Sequence, residues 1–119
     1  MTKLRRLIIF VVAGLSSIAQ VEPQAVAPGS TLTAKAFLHG CKDFVAGRST
    51  FFGGRCAGAV DILNAFNAER KAFCPPAATN NLQRVRIIVA FIEARPDRAN
   101  EDFSVLANEA MAQAWPCKN

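Results

Sequence analysis

Four cysteines are the residues of this chain whose type and spacing point most directly to chemistry. They are Cys41, Cys56, Cys74 and Cys117. A structural zinc site would need closely spaced pairs such as C-x-x-C, and the chain contains no such pair. An even number of cysteines in a small exported domain predicts two disulfides instead.

Four cysteines allow three pairings, and two of them fit the order of the helices predicted below. Cys41 and Cys56 lie on either side of one short turn, so they can meet across a helical hairpin. Cys56–Cys74 with Cys41–Cys117 would instead hold a long polar loop and the C-terminus to the core. We favour the second arrangement slightly, and the first remains open.

No set of residues with catalytic spacing accompanies the cysteines. The single histidine, His39, lies two residues before Cys41, and residues two apart on a helix do not face each other. Gly53, Gly54 and Gly58 lie within a predicted helix and therefore form no phosphate-binding loop. The sequence thus predicts a binding protein and not an enzyme, with no cofactor and no metal site.

The N-terminus has the pattern of an export signal. Lys3, Arg5 and Arg6 precede an apolar run, residues 7–15, that is too short to span a membrane comfortably. We predict a signal peptide over residues 1–19 that is cleaved after Ala19, a flexible leader over 20–29, and one helical domain over 30–119. An uncleaved membrane anchor is the alternative, and export predicts a periplasmic location.

The charge of the chain belongs largely to this signal. Losing its three basic residues lowers the formal net charge from +5 to +2. The basic balance therefore gives no reason to expect a nucleic-acid partner, and we expect no stable membrane association once the signal is removed.

Residues 51–66, FFGGRCAGAVDILNAF, predict the central helix of the domain, capped by Thr50. Apolar residues recur on one helical face at Phe52, Cys56, Ala59, Val60, Leu63 and Phe66. The same stretch is rich in small residues, namely Gly53, Gly54, Ala57, Gly58 and Ala59. We expect these small residues to let a second helix approach closely.

The flanking sequence predicts helices on either side of the central one. A first helix runs from a cap at Ser30 to about Ala46, and Gly47 ends it. A third helix begins at Thr79 or Asn80, and Asn80 with Gln83 three residues later has the pattern of a capping box.

A fourth helix follows the Arg95-Pro96 break, capped by Asn100 and stopped by Pro116. Between the second and third helices, Phe73 and Cys74 interrupt a polar stretch and should fix that loop to the core. No segment alternates with the period of a strand. The sequence predicts an all-α fold, a small four-helix bundle with five helices as the variant, held by two disulfides.

A set of short motifs in this order resembles a known family. The motifs are Gly54-x-Cys56-x-Gly58, Asp61 one turn later, Phe73-Cys74-x-Pro76, a helix led by Gln83, Arg95-Pro96-Asp97, and Ala110-x-x-x-Ala114-Trp115-Pro116-Cys117. With the early helical Cys41, they resemble the Rap/Tai family of type VI secretion immunity proteins over about residues 38–118. The chain departs from the family pattern at Ala57, Arg95 and Trp115, where an aromatic residue, histidine and phenylalanine are usual.

The resemblance implies a small, helical, periplasmic protein that binds and inhibits a peptidoglycan amidase injected by neighbouring cells. It implies two partners, the cognate amidase toxin and a second copy of the chain in a homodimer. For the contacts with the toxin we expect the loop Asn67–Asn80, with Glu69, Arg70 and Lys71 exposed.

Two other functions fit the same sequence. The stretch Cys41-Lys42-Asp43-Phe44 and the helical layout are similar to those of small periplasmic acid-stress chaperones. An orphan periplasmic binding protein is the other alternative. The acid-stress chaperones act by exposing apolar surface when acid loosens their fold. Two disulfides should oppose such loosening in this chain.

Overall fold

The computed structural model describes residues 32–118, which form a bundle of four α-helices. The helices are α1 (Ala34–Val45), α2 (Phe51–Glu69), α3 (Asn81–Glu93) and α4 (Phe103–Ala114), with a short 3-10 turn at Pro96–Arg98. The described segment contains no strand, and none of its helices is long and apolar enough to cross a membrane. The all-α bundle predicted from the sequence is confirmed. The signal peptide and the leader lie outside the described residues. The predicted Ser30 cap was wrong, because Thr33 caps α1 and its side chain accepts the Ala36 amide at 3.2 Å.

Side-chain caps begin each helix, as their local sequences require. The hydroxyl of Thr50 accepts a hydrogen bond from the Gly53 amide at 2.9 Å at the start of α2. At α3, the Asn80 side chain accepts from the Gln83 amide, and the Gln83 side chain accepts from the Asn80 amide, both at 2.9 Å. This is the predicted capping box. Gly47, with φ of +74°, ends α1 as predicted.

The cap predicted for α4 was wrong by two residues. Asp102, not Asn100, accepts the amide of Ser104, at 2.7 Å. The reason is tertiary, because the segment before α4 pairs with the start of the described chain. The amide of Phe103 donates to the carbonyl of Leu32 at 2.9 Å, and this contact sets the point at which the helix can begin.

The apolar stripe predicted for α2 is rotated in the structure. Cys56 and Val60 are fully buried, but Phe52 and Phe66 are 52% and 64% exposed. The buried face of α2 contains Gly53 in place of Phe52, because α1 packs against the α2 backbone at Gly53. The predicted burial of the two phenylalanines is therefore wrong.

The close approach of two helices that the sequence predicted exists, and Gly53 of α2 takes part in it, but the tightest contact is at Gly40 on α1. A Cβ added to Gly40 would lie 2.2 Å from the carbonyl oxygen of Phe52, whereas one added to Gly54 or Gly58 would meet nothing within 4 Å. Two of the small residues of α2 therefore face outwards, and they do not serve the packing role expected of them.

The disulfides are Cys41–Cys56 and Cys74–Cys117, so the pairing favoured from the sequence was wrong and the hairpin alternative is found. The close contact between α1 and α2 brings the Cα atoms of Cys41 and Cys56 to 5.1 Å. The second bridge joins the α2–α3 loop directly to the C-terminus, with Cα atoms 4.9 Å apart. The favoured pairing would have held the loop and the C-terminus to the core with one bridge each. In the structure a single bridge joins these two segments to each other.

Candidate partner-binding site

The connection between α2 and α3 starts as an exposed, charged corner. Helix α2 ends at Glu69, Arg70 is its C-terminal cap, and Lys71 has a left-handed backbone with φ of +53°. All three side chains are exposed, so the structure brings the predicted contact residues together on one corner. None of the three forms an ion pair with another residue of the described chain.

Two anchors hold the chain directly after this corner. The ring of Phe73 is 1% exposed within the core. Cys74 is bonded to Cys117, and its amide donates to the carbonyl of Trp115 at 2.8 Å. The loop is therefore fixed to the core where the sequence predicted, and the charged corner lies directly before these two anchors.

The other end of the connection leads into a groove that the sequence did not predict. Pro76 and Thr79 line a cavity of about 410 Å³ together with Arg86 and Trp115. Arg86 carried no signal in the sequence, because it is one of several basic residues on predicted helix surfaces. Arg95 entered as part of the helix break before the fourth helix and of a family motif, and Trp115 as an element of a family motif, so neither was assigned to a binding site.

The histidine and cysteine that lie close in sequence form no reactive pair. Cys41 is bonded to Cys56 inside the core. The Nε2 atom of His39 lies 3.5 Å from Oδ2 of Asp43. Among the described residues, no group of three or more His, Cys, Asp or Glu side chains could hold a metal ion.

The buried carboxylate of Asp43 serves the fold. Hydrogen bonds from the Arg48 guanidinium hold the pKa of this carboxyl below its usual range, against the opposing effect of burial. A hydroxyl hydrogen bond from Thr50 adds to the effect. These partners belong to the α1–α2 turn, so we assign Asp43 a structural role.

Comparison with known proteins gives one match. The sequence model of the Rap1a immunity proteins matches residues 33–117, which run from the cap of α1 to the last cysteine. No curated protein and no solved structure matches the chain.

Proposed function

Because the chain belongs to the Rap1a immunity protein family, we propose that it binds and inhibits a peptidoglycan amidase delivered by type VI secretion. The family predicted from the motifs is confirmed, and it makes the chain an immunity protein against a secreted effector. The amidase as target, the periplasm as location and the contact residues are our proposals. Inhibition of this kind requires binding only, with no reaction by the chain itself.

The observation that carries the proposal is the charged corner formed by Glu69, Arg70 and Lys71. Its side chains are unpaired within the described segment, while Phe73 and the Cys74–Cys117 bridge hold the base of the loop. A loop that is already ordered loses less conformational entropy when it binds, so more of the contact energy appears as affinity. The corner suits insertion into the active-site cleft of the amidase. An inhibitor bound in that cleft blocks the access of substrate.

Two disulfides support the periplasm as the location. Such bonds form and persist in oxidising compartments, and the bacterial periplasm is one of them. The predicted signal peptide over residues 1–19 agrees with export.

We further propose that the chain forms a homodimer through the outer face of α2. Phe51 and Ile62 lie on this face and are 80% and 59% exposed, and Gly54 and Gly58 lie between them. An antiparallel second copy centred on Gly58 would place the Ile62 of each copy at the level of the Gly54 of the other. The apolar face is thus complementary to itself, as a two-fold symmetric interface requires.

An inhibition assay with the purified protein, disulfides intact, tests the proposed function. We expect tight binding to the amidase encoded beside it and loss of peptidoglycan cleavage at equimolar protein. Replacing Glu69, Arg70 and Lys71 by alanine together should weaken binding by at least about tenfold with the melting temperature unchanged.

The matched control replaces Lys42 and Glu93, an exposed pair joined at 3.2 Å on other helices, and should leave binding unchanged. Equal affinity of the triple variant and the control would exclude the corner as the contact site. Absence of inhibition of every neighbouring amidase would exclude the proposed function.

A further inference from the structure

The outer face of α3 forms the floor of a groove that the proposed function does not use. Two cavities of about 410 and 390 Å³ adjoin at Ile87, which lines both. One wall is the segment around Pro76 and Thr79, and the other is the C-terminal part of α4. The two cavities together run along α3 from Gln83 to Arg95.

The floor of this groove is apolar and aromatic. Ile87, Phe91 and Trp115 line it, and each is partly buried and partly open to solvent. Tryptophan and arginine are the residues that most often dominate binding energy at protein interfaces. A groove of this composition favours contact with apolar side chains over contact with water.

A guanidinium lies toward each end of the groove. Arg86 is exposed and forms no ion pair with any residue of the described segment. Arg95 stacks on the Phe91 ring, with Cζ 3.6 Å from the ring centroid, and donates to the Phe91 carbonyl at 3.0 Å. Its stacked position fixes this charge beside the apolar floor.

Two carboxylates on the helices that form the groove are engaged with other partners. Glu109 accepts hydrogen bonds from Arg98 at 2.6 and 2.9 Å, and Glu93 pairs with Lys42 at 3.2 Å. Neither pairs directly with Arg86 or Arg95, although the charges of Glu109 and Arg95 attract each other at longer range. The groove keeps two positive charges that an acidic ligand would complement.

We propose that this groove binds an extended segment of a partner protein, with acidic side chains flanking apolar ones. The distance from Gln83 to Arg95 is about 18 Å at 1.5 Å per helical residue. An extended chain covers that distance in five or six residues at about 3.3 Å each. Its carboxylates would pair with the two guanidiniums, which match carboxylate geometry well, while its apolar side chains would cover Ile87 and Trp115.

The proposal stands on the shape and charge of the groove and does not require the partner to be an amidase. The charged corner at residues 69–71 lies outside the groove lining, so the two surfaces can be tested separately. A variant that fails at one surface should retain binding at the other.

The composition of the chain provides a direct readout. Trp115 is the only tryptophan and the chain has no tyrosine, so intrinsic fluorescence reports on this groove alone. The probe is the peptide acetyl-Asp-Leu-Ala-Leu-Ala-Glu-amide, titrated into the purified protein at low salt. Its control has lysine in place of both acidic residues.

We expect the acidic peptide to shift the Trp115 emission and to bind at least about tenfold more tightly than the lysine peptide. The difference should shrink as salt screens the charges. Arg86→Gln should weaken binding of the acidic peptide about fivefold. Lys35→Gln, which removes an exposed positive charge on α1 outside the groove, is the matched control and should not change it.

Three results would overturn the proposal. The first is no change of emission with the acidic peptide up to about 2 mM, a concentration at which even weak contacts register. The second is equal binding of the acidic and lysine peptides, or equal loss in the Arg86→Gln and Lys35→Gln variants. The third is tighter binding of a single-stranded oligonucleotide, which would make the groove a site for nucleic acid.

Discussion

Arg48 donates two hydrogen bonds to one oxygen, Oδ1, of Asp43, from Nε at 2.9 Å and from Nη2 at 2.6 Å. The other oxygen accepts the hydroxyl of Thr50 at 3.1 Å, and Thr50 in turn caps α2. One carboxylate, only 4% exposed, therefore joins the end of α1 to the start of α2. We therefore expect the turn beside the Cys41–Cys56 bridge to depend on the charge of this carboxylate.

Asp43→Asn should destabilise the fold, because the neutral amide lacks the negative charge that strengthens the two Arg48 hydrogen bonds. It also replaces the oxygen that accepts the Thr50 hydroxyl by an NH2 group. We expect the melting temperature to fall by several degrees, measured by circular dichroism. Glu93→Gln is the control, because it breaks the exposed pair with Lys42 and exposed pairs contribute little. Equal melting temperatures in the two variants would show that the Asp43 network is not needed.

Stability should decline in acid. Arginine hydrogen bonds lower the pKa of Asp43, and those of Arg98 lower the pKa of Glu101 and Glu109. A carboxyl whose pKa is lower in the folded state stabilises the fold when it is ionised. This stabilisation is fully present above the unfolded pKa of about 4, and it is lost as the pH falls through the folded pKa.

Urea unfolding across a pH series measures this dependence. We expect a nearly constant free energy of unfolding from pH 7 to about 5 and a decline below about 4. The Asp43→Asn variant should show a shallower decline. Binding of an apolar-surface dye already at pH 5 would contradict this expectation and favour the acid-stress chaperone alternative.

Two glycine substitutions should have opposite effects on stability. Gly40→Ala places a methyl group 2.2 Å from the Phe52 carbonyl oxygen, so the helices must separate, at a cost of about 2–3 kcal/mol. Gly58→Ala meets open space and replaces a poor helix former, so it should stabilise the fold by up to about 1 kcal/mol. Urea unfolding of dilute protein measures both, and a stable Gly40→Ala variant would disprove the close approach.

Local features of the fold could be predicted from the sequence, and contacts between distant segments could not. The Asn80–Gln83 capping box and the Gly47 helix end depend on residues within one turn, so their patterns were sufficient. The cap of α4 was misplaced because Asp102 is selected by the pairing of Phe103 with Leu32. That contact joins segments far apart in the sequence.

The same difference between local and long-range contacts explains which disulfide pairing and which surface sites could be predicted. Gly40 lies against the Phe52 backbone, and no spacing within either helix reveals which helices touch there. This contact decides both the Cys41–Cys56 pairing and the rotation that leaves Phe66 exposed. The charged corner was predictable because its residues are consecutive, whereas Arg86 joins Trp115 only through the packing of α3 against α4.

The two disulfides should differ in their effects on stability and on binding. Their sequence separations of 15 and 43 predict losses of about 3 and about 4 kcal/mol when each pair is replaced by alanine. Only removal of Cys74–Cys117 frees the loop that carries the charged corner. Calorimetric titration with the amidase should therefore show weaker binding for that variant, and equal binding by the two variants would disprove anchoring of the loop.

Ile62→Glu should abolish the proposed dimer, because a charge on the apolar outer face of α2 would be buried without a partner. Sedimentation equilibrium over a range of protein concentrations measures the association. Val105→Glu is the control, because Val105 is a comparably exposed apolar residue, 47% exposed, on α4. A monomer at every concentration in the unmodified protein, or equal weakening by both variants, would reject α2 as the interface and leave its exposed face for a different partner.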